Sequence, residues 1–232
     1  MKKRLLSIVG VLLTSISLWA QLSLQSSDSG DLRTCIETLY SFSLSDSTIC
    51  YKDTIKLNRR TYDEEALKPY KSIGNFSINS PYEVNLVRYN GRGWDNDPGD
   101  YHIFSIYKGD SLVYEFSDPW AFVKIRSKFK QFSSYPNDYF HVFTMENGAT
   151  VFVLEGYGYV SSPPSLAVIL LYQGSAHLVF SKEDDFLINN ISVSPGGYFE
   201  IELHDAVPSG DPDYNPNVYY LKATPSGMGL YR

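Results

Sequence analysis

The amino-acid sequence predicts a mainly β fold, in which antiparallel hairpins form a sandwich or a barrel with at most one or two short helices. Two observations predict it. Apolar and aromatic runs of strand length recur in pairs, and each pair flanks a short turn that contains glycine. Aromatic residues make up 15% of the chain and favour the half-buried surface of a sheet. We expect five hairpins, over residues 101–116, 140–155, 166–181, 187–204 and 218–232.

The clearest hairpin turns at Asn147-Gly148, between the runs FHVFTME and ATVFVLE. An Asn-Gly pair between two such runs is the strongest short-range hairpin signal. The next hairpin begins with LAVILLY, an uninterrupted apolar run that is typical of a strand buried on both faces. The turn glycines are unevenly spaced along the chain, so we predict separate hairpins and no repeat array.

Residues 119–132 carry signals for both helix and strand. Asp118 as an N-cap and Pro119 as the first helical residue favour a helix, which is the preferred interpretation. An apolar face at helical spacing agrees with it and comprises Phe122, Ile125, Phe129 and Phe132. Basic residues alternate through the same stretch, as they would on one face of a strand: Lys124, Arg126, Lys128 and Lys130.

The chain begins as a secretory signal does. Lys2, Lys3 and Arg4 precede an apolar stretch of about 14 residues, which is shorter than the roughly 20 that a membrane-spanning helix needs. We expect residues 1–20 to be a signal peptide cleaved after Ala20. Residues 21–232 would then form a single β-rich domain with an irregular N-terminal part, about 21–80. The mature protein would lie in the periplasm, outside the cell or on its surface.

The two cysteines, Cys35 and Cys50, both lie in the expected mature chain. Because exported proteins meet oxidising conditions, we expect a Cys35–Cys50 disulfide. By closing the loop between Cys35 and Cys50, this disulfide would stabilise the fold by about 3 kcal/mol. A reactive thiol is the alternative interpretation.

The charge and the motifs exclude several classes of function. The formal net charge is −6 at pH 7, so nucleic acid and anionic membranes are not expected partners. The serine-hydrolase elbow GxSxG, the zinc motif HExxH and the phosphate loop GxxxxGK[ST] are absent from the sequence. No catalytic residue, no metal and no cofactor is predicted.

Two acidic loops contain candidate sites. Trp94 lies beside Asp95 and Asp97, and a tryptophan ring among carboxylates resembles a sugar-binding surface. The second loop has the start of a calcium-binding loop at Asp211, Asp213 and Asn215, without the glycine and glutamate that complete it. Ordinary turns, in which Asp and Asn side chains bond their own backbone, are the favoured interpretation of both loops.

The basic run from Lys124 to Lys130 forms a cationic cluster in this acidic chain. A solvated face is the favoured interpretation. The alternative is a site for an anionic glycan or for an acidic patch of a partner.

The segment EGYGYVSSPP, at Glu155–Pro164, indicates a rigid corner between two hairpins, because Pro163 and Pro164 exclude helix. Tyr157 and Tyr159 would point the same way if the segment is extended. They are therefore candidate ligand-binding residues.

The stretch EGYGYVSSPPSLAVILLYQGSAHLVFSK, at residues 155–182, resembles exported proteins of unknown function from Bacteroides-type gut bacteria. The resemblance covers this stretch alone. It implies a bacterial protein that acts outside the cytoplasm, and it carries over no catalytic residue.

We therefore expect an exported, non-enzymatic module that binds a glycan or an envelope protein. One alternative is a carbohydrate-active hydrolase that uses carboxylates from separate strands. The other is a structural subunit of an envelope assembly, which would add a strand to a partner's sheet.

Overall fold

Fourteen antiparallel strands in three sheets make up most of the chain that the structure describes. The structure is a computed structural model, and it describes residues 33–42, 68–79, 81–90, 100–118, 121–157, 165–182, 186–205 and 215–232. The described residues from Cys35 to Arg232 belong to one compact unit. In chain order the strands are β1 (Cys35–Ser41), β2 (Lys68–Asn79), β3 (Tyr82–Asn90), β4 (Asp100–Lys108), β5 (Ser111–Asp118), β6 (Ala121–Phe122), β7 (His141–Thr144), β8 (Thr150–Tyr157), β9 (Ser165–Tyr172), β10 (Ser175–Lys182), β11 (Phe186–Val193), β12 (Phe199–Asp205), β13 (Val218–Thr224) and β14 (Gly227–Tyr231).

The strands form two outer sheets and one middle sheet. The first outer sheet has the order β1-β14-β13-β12-β11, and the second has the order β2-β3-β4-β5. The middle sheet has the order β10-β9-β8-β6, with β7 also paired to β8. The expected mainly β, antiparallel fold is confirmed, and its sheets are packed as a sandwich.

Strand β9 shows how the middle sheet joins two hydrophobic cores. Seven of its eight residues are buried. Leu166, Val168 and Leu170 belong to the core shared with the first outer sheet. Their neighbours Ala167, Ile169 and Leu171 belong to the core shared with the second. Because successive strand side chains point to opposite faces, an apolar run without polar interruptions suits a sheet that is covered on both sides.

All five predicted hairpins are present: β4–β5, β7–β8, β9–β10, β11–β12 and β13–β14. The Asn147-Gly148 turn works as expected, since Gly148 has a φ of +85° that other residues rarely adopt. Its backbone N–H donates to Met145 O at 2.9 Å.

The stretch 119–132 differs from the preferred helical interpretation. Asp118 ends strand β5, Ala121–Phe122 is strand β6, and only Ser127–Phe132 is helical, as a 3₁₀ helix. The reason is tertiary. The N–H of Val123 donates to Glu155 O at 2.9 Å, and that of Ile125 donates to Asp138 O at 2.8 Å. Those partners hold residues 121–126 extended, so the helix begins later.

A second 3₁₀ helix, Pro195–Gly197, connects β11 to β12. The described residues therefore contain two short helices, Ser127–Phe132 and Pro195–Gly197, in agreement with the one or two short helices that the sequence predicts. None of the helices found in the described ranges is long and apolar enough to cross a membrane.

The part expected to be irregular, 21–80, contains two strands where it is described, and both have register shifts. Strand β1 pairs with β14, with breaks in register after Cys35 and after Thr38. Strand β2 pairs with β3. Cys35 is exposed on β1, whereas Cys50 lies outside the described residues, so the disulfide stays a prediction.

Candidate functional site

A pocket of about 410 Å³ lies between strand β2 and the loop that precedes β7. The volume falls within the range of small-molecule sites, roughly 300–1,000 Å³. We call residues 133–140 the pocket loop. The pocket is lined by Phe76, Lys130, Pro136, Asn137, Asp138 and Tyr139.

Asn137 holds the pocket loop in shape. Its Oδ1 accepts the backbone N–H groups of Tyr139 and Phe140, each at 2.8 Å. Its Nδ2 donates to Phe140 O at 2.6 Å and to Tyr135 O at 3.3 Å. A side chain that replaces backbone partners in this way is characteristic of asparagine in turns. Asn137 is therefore a positioning residue, because both ends of its amide are already bonded.

Ser133 ties the same loop to strand β7. Its hydroxyl donates to Tyr135 O at 2.7 Å and accepts the N–H of Val142 at 3.0 Å. The N–H of Ser134 donates to Val142 O at 2.6 Å. These bonds indicate that the pocket is formed before any ligand arrives.

Two aromatic residues supply the apolar walls. Phe76 stands edge-on to Phe140, with ring centroids 5.4 Å apart, and to Tyr135 at 6.2 Å. Tyr139 is half-buried, with the His102 ring 6.1 Å away. The Nζ of Lys124 lies 6.0 Å from the Tyr139 ring centroid. Both the Phe76 ring and the Tyr139 ring pack against the core that the middle sheet shares with the second outer sheet, so they form fixed surfaces.

Lys130 and Asp138 form an ion pair at the pocket rim. Their side chains are 46% and 51% exposed, so a ligand can reach both. The hydrogen bond from Lys130, and then its charge, lower the pKa of Asp138, and the charge of Lys124 acts in the same direction. Asp138 is thus an ionised acceptor at neutral pH. Such exposed pairs contribute little to stability.

A second polar cluster lies deeper, where the middle sheet meets β11. Glu155 is buried, 3.6 Å from Arg126, and accepts the N–H of Ile188 at 3.4 Å. Arg126 donates to the carbonyl oxygen of the same Ile188. Burial raises the pKa of Glu155, against the opposing effects of Arg126 and of the Ile188 N–H. Both polar backbone groups of an edge-strand residue are satisfied here, so we assign the cluster to stability.

His141, on β7, is only 1% exposed, and neither ring nitrogen is bonded to any described residue. Its ring stacks beside Phe143, with centroids 6.1 Å apart, and Phe129 lies at 6.4 Å. Burial, together with the charge of Arg126, lowers the pKa of His141 from 6.5 to about 4. A neutral imidazole among aromatic rings is a core residue.

Replacing His141 by phenylalanine should make the protein more tolerant of acid. The unfolded chain protonates this group near pH 6.5 and the folded chain only near 4, so stability falls through that window as the pH drops. At about pH 5 the penalty is about 2 kcal/mol. Urea denaturation at about pH 8 and about pH 5 measures the free energy of unfolding. Relative to the wild type, the free energy of unfolding of the variant should increase by about 2 kcal/mol when the pH is lowered from about 8 to about 5. Parallel pH profiles of the two proteins would contradict this prediction.

Most residues chosen from the sequence fall outside the described part of the chain. These are Trp94, Asp95, Asp97, Tyr159, Asp211 and Asp213. Tyr157 is the last residue of β8, and its backbone pairs with Ala121. Asn215 is exposed. In the described ranges, no group of three or more His, Cys, Asp or Glu residues is placed to hold a metal ion.

Lys130 belongs to the basic run that is recognisable in the sequence, whereas the other lining residues were not predicted. A signal was present in the segment YPNDY, residues 135–139, where Pro, Asn and Asp mark a turn between two tyrosines. Nothing in the sequence linked that turn to Phe76, which lies on a distant strand.

Comparison of the chain with protein-family models, with curated proteins and with solved structures finds no match. The function is therefore inferred from the geometry of the pocket.

Proposed function

We propose that the protein is an exported, non-enzymatic module that binds a glycan in the pocket between Phe76 and Tyr139. The observation that carries the proposal is a preformed pocket that combines two anchored aromatic rings with one ionised carboxylate. Export is supported by the signal-like N-terminus, and the mass of the N-terminal peptide from host cells tests it.

The chemistry of the pocket matches that of a sugar. One face of a pyranose presents C–H groups, which pack against an aromatic ring, and its rim presents hydroxyls, which donate hydrogen bonds. Phe76 and Tyr139 offer rings for the first, and Asp138 offers acceptor oxygens for the second. Apolar walls with a few fixed polar groups are typical of small-molecule sites. The bonds of Asn137 reduce the entropy that binding would otherwise lose.

Binding is favoured over hydrolysis by the state of Asp138. A glycosidase needs two carboxyl groups, one of them with a raised pKa so that it can donate a proton. The lining residues include one carboxyl group, and its pKa is lowered. Glu155 has a raised pKa, but its carboxylate is bonded to the backbone of Ile188.

Replacing Asp138 by alanine should weaken glycan binding about tenfold, because a charged acceptor of the sugar hydroxyls is lost. A glycan array of plant, host and microbial oligosaccharides identifies the probe, and calorimetry with that oligosaccharide measures the dissociation constant. The melting temperature should change by less than about 2 °C, because the ion pair is exposed.

Asp110→Ala is the matched control, since Asp110 is an exposed acid in the β4–β5 turn. It should bind like the wild type. Equal affinity of both variants would remove the pocket from the proposal. An array without any binding would overturn the glycan proposal and leave the envelope protein as the partner to test.

A further inference from the structure

The basic run from Lys124 to Lys130 concentrates positive charge in a chain whose net charge is −6. No acidic residue interrupts it. The run contains four cations, which lie at two different places in the structure: Lys124, Arg126, Lys128 and Lys130. Arg126 binds Glu155 and Ile188, and the Nζ of Lys128 lies 3.4 Å from Asn189 O, so both serve the contact with β11.

The other two cations, Lys124 and Lys130, lie at the pocket. Lys130 lines it, and the Nζ of Lys124 lies 6.0 Å from the ring centroid of the lining residue Tyr139. The charges of both lysines act on Asp138. Among the residues that the structure describes, these two lysines and this one aspartate leave one positive charge in excess at the pocket.

Lys124 is the unmatched charge of this group. Its side chain is exposed and makes no ion pair with a residue in the described ranges. Its Nζ lies 6.0 Å from the Tyr139 ring centroid, and a lysine ammonium carries three N–H donors that can bind an incoming anion.

We infer that the glycan bound in this pocket is acidic, and that Lys124 and Lys130 bind its negative group while Asp138 accepts hydroxyls of the same sugar. The inference rests on the proposed function and narrows it to saccharides that carry a carboxylate, as uronic and sialic acids do. The net negative charge of the chain does not oppose this at short range, because exposed charges beyond about 8 Å are screened at physiological salt.

The test compares oligosaccharides that differ in their charge. Trigalacturonate is titrated against its fully methyl-esterified form, and sialyllactose against lactose. We expect one acidic member to bind at least about tenfold more tightly than its neutral counterpart, and to lose that advantage as salt is added. Lys124→Ala should weaken binding of the acidic probe about tenfold and leave the neutral one unchanged.

Lys108→Ala is the matched control, because Lys108 is exposed and also lies over a tyrosine, 5.9 Å from the Tyr82 ring centroid. It should leave both affinities unchanged. Equal binding of the acidic and neutral forms would overturn the inference while the glycan proposal stands. An absence of binding by every saccharide tested would overturn both.

Discussion

Replacing Gly197 by alanine is expected to destabilise the protein by about 3–5 kcal/mol, a large part of the stability of a domain. Gly197 lies in the β11–β12 turn with a φ of +78°, where a Cβ atom is strained. A Cβ there would also stand 2.0 Å from the carbonyl oxygen of Thr144. That oxygen belongs to the backbone of β7, so it cannot move aside as a side chain would. This turn of the first outer sheet lies directly against the middle sheet, and Glu146 N–H donates to Gly196 O at 2.8 Å.

Gly148→Ala separates backbone strain from close packing. Gly148 has a similar φ of +85°, but a Cβ there would meet nothing within 4 Å. We expect it to cost only the strain, about 1–2 kcal/mol. Urea denaturation of both variants gives the two free energies of unfolding. Equal losses would show that the approach to Thr144 does not matter.

Replacing Arg126 by methionine is expected to cost about 3 kcal/mol at neutral pH. The change leaves the buried carboxylate of Glu155 without its counter-charge and the carbonyl of Ile188 without its donor. The value lies at the low end for broken buried pairs, because Arg126 itself is 38% exposed. Lys128→Met is the control. Lys128 lies on the same segment and is exposed, so its loss should cost less than about 0.5 kcal/mol.

The cost of Arg126→Met should shrink as the pH falls. Glu155 has a raised pKa in the folded state, so its contribution to stability is full below the ordinary value of 4.5 and is lost as the pH rises through the folded pKa. Without Arg126, that pKa rises further. His141 changes in the same direction, because it is relieved of the same positive charge. Measuring the effect in a His141→Phe background isolates Glu155, and a pH-independent cost there would contradict the assignment.

The hairpins were predictable because their signals are local. Asn147-Gly148 specifies a turn through its own backbone preferences, and the run in β9 specifies burial through its own composition. The stretch 119–132 was not predictable in this way. Its helix signal is also local, but Val123 and Ile125 donate their N–H groups to Glu155 and Asp138, which the sequence does not place beside them.

The candidate site was largely beyond the reach of the sequence. Lys130 was singled out for its charge and Asn137 belongs to a recognisable turn, yet neither indicates a pocket. The pocket exists because β2 places Phe76 against Phe140, the last residue of the pocket loop. That contact depends on how two sheets pack.

The sequence by itself determined the antiparallel hairpins and the doubly buried strand β9, because each follows from the turn preferences and polarity of neighbouring residues. Only the tertiary structure decided that the sheets stack in three layers. It also decided that Lys124 and Lys130 face Asp138 and Tyr139 while Arg126 turns to Glu155. The physical reason is that burial and charge pairing act between residues that are far apart in the chain, and only packing brings them within reach.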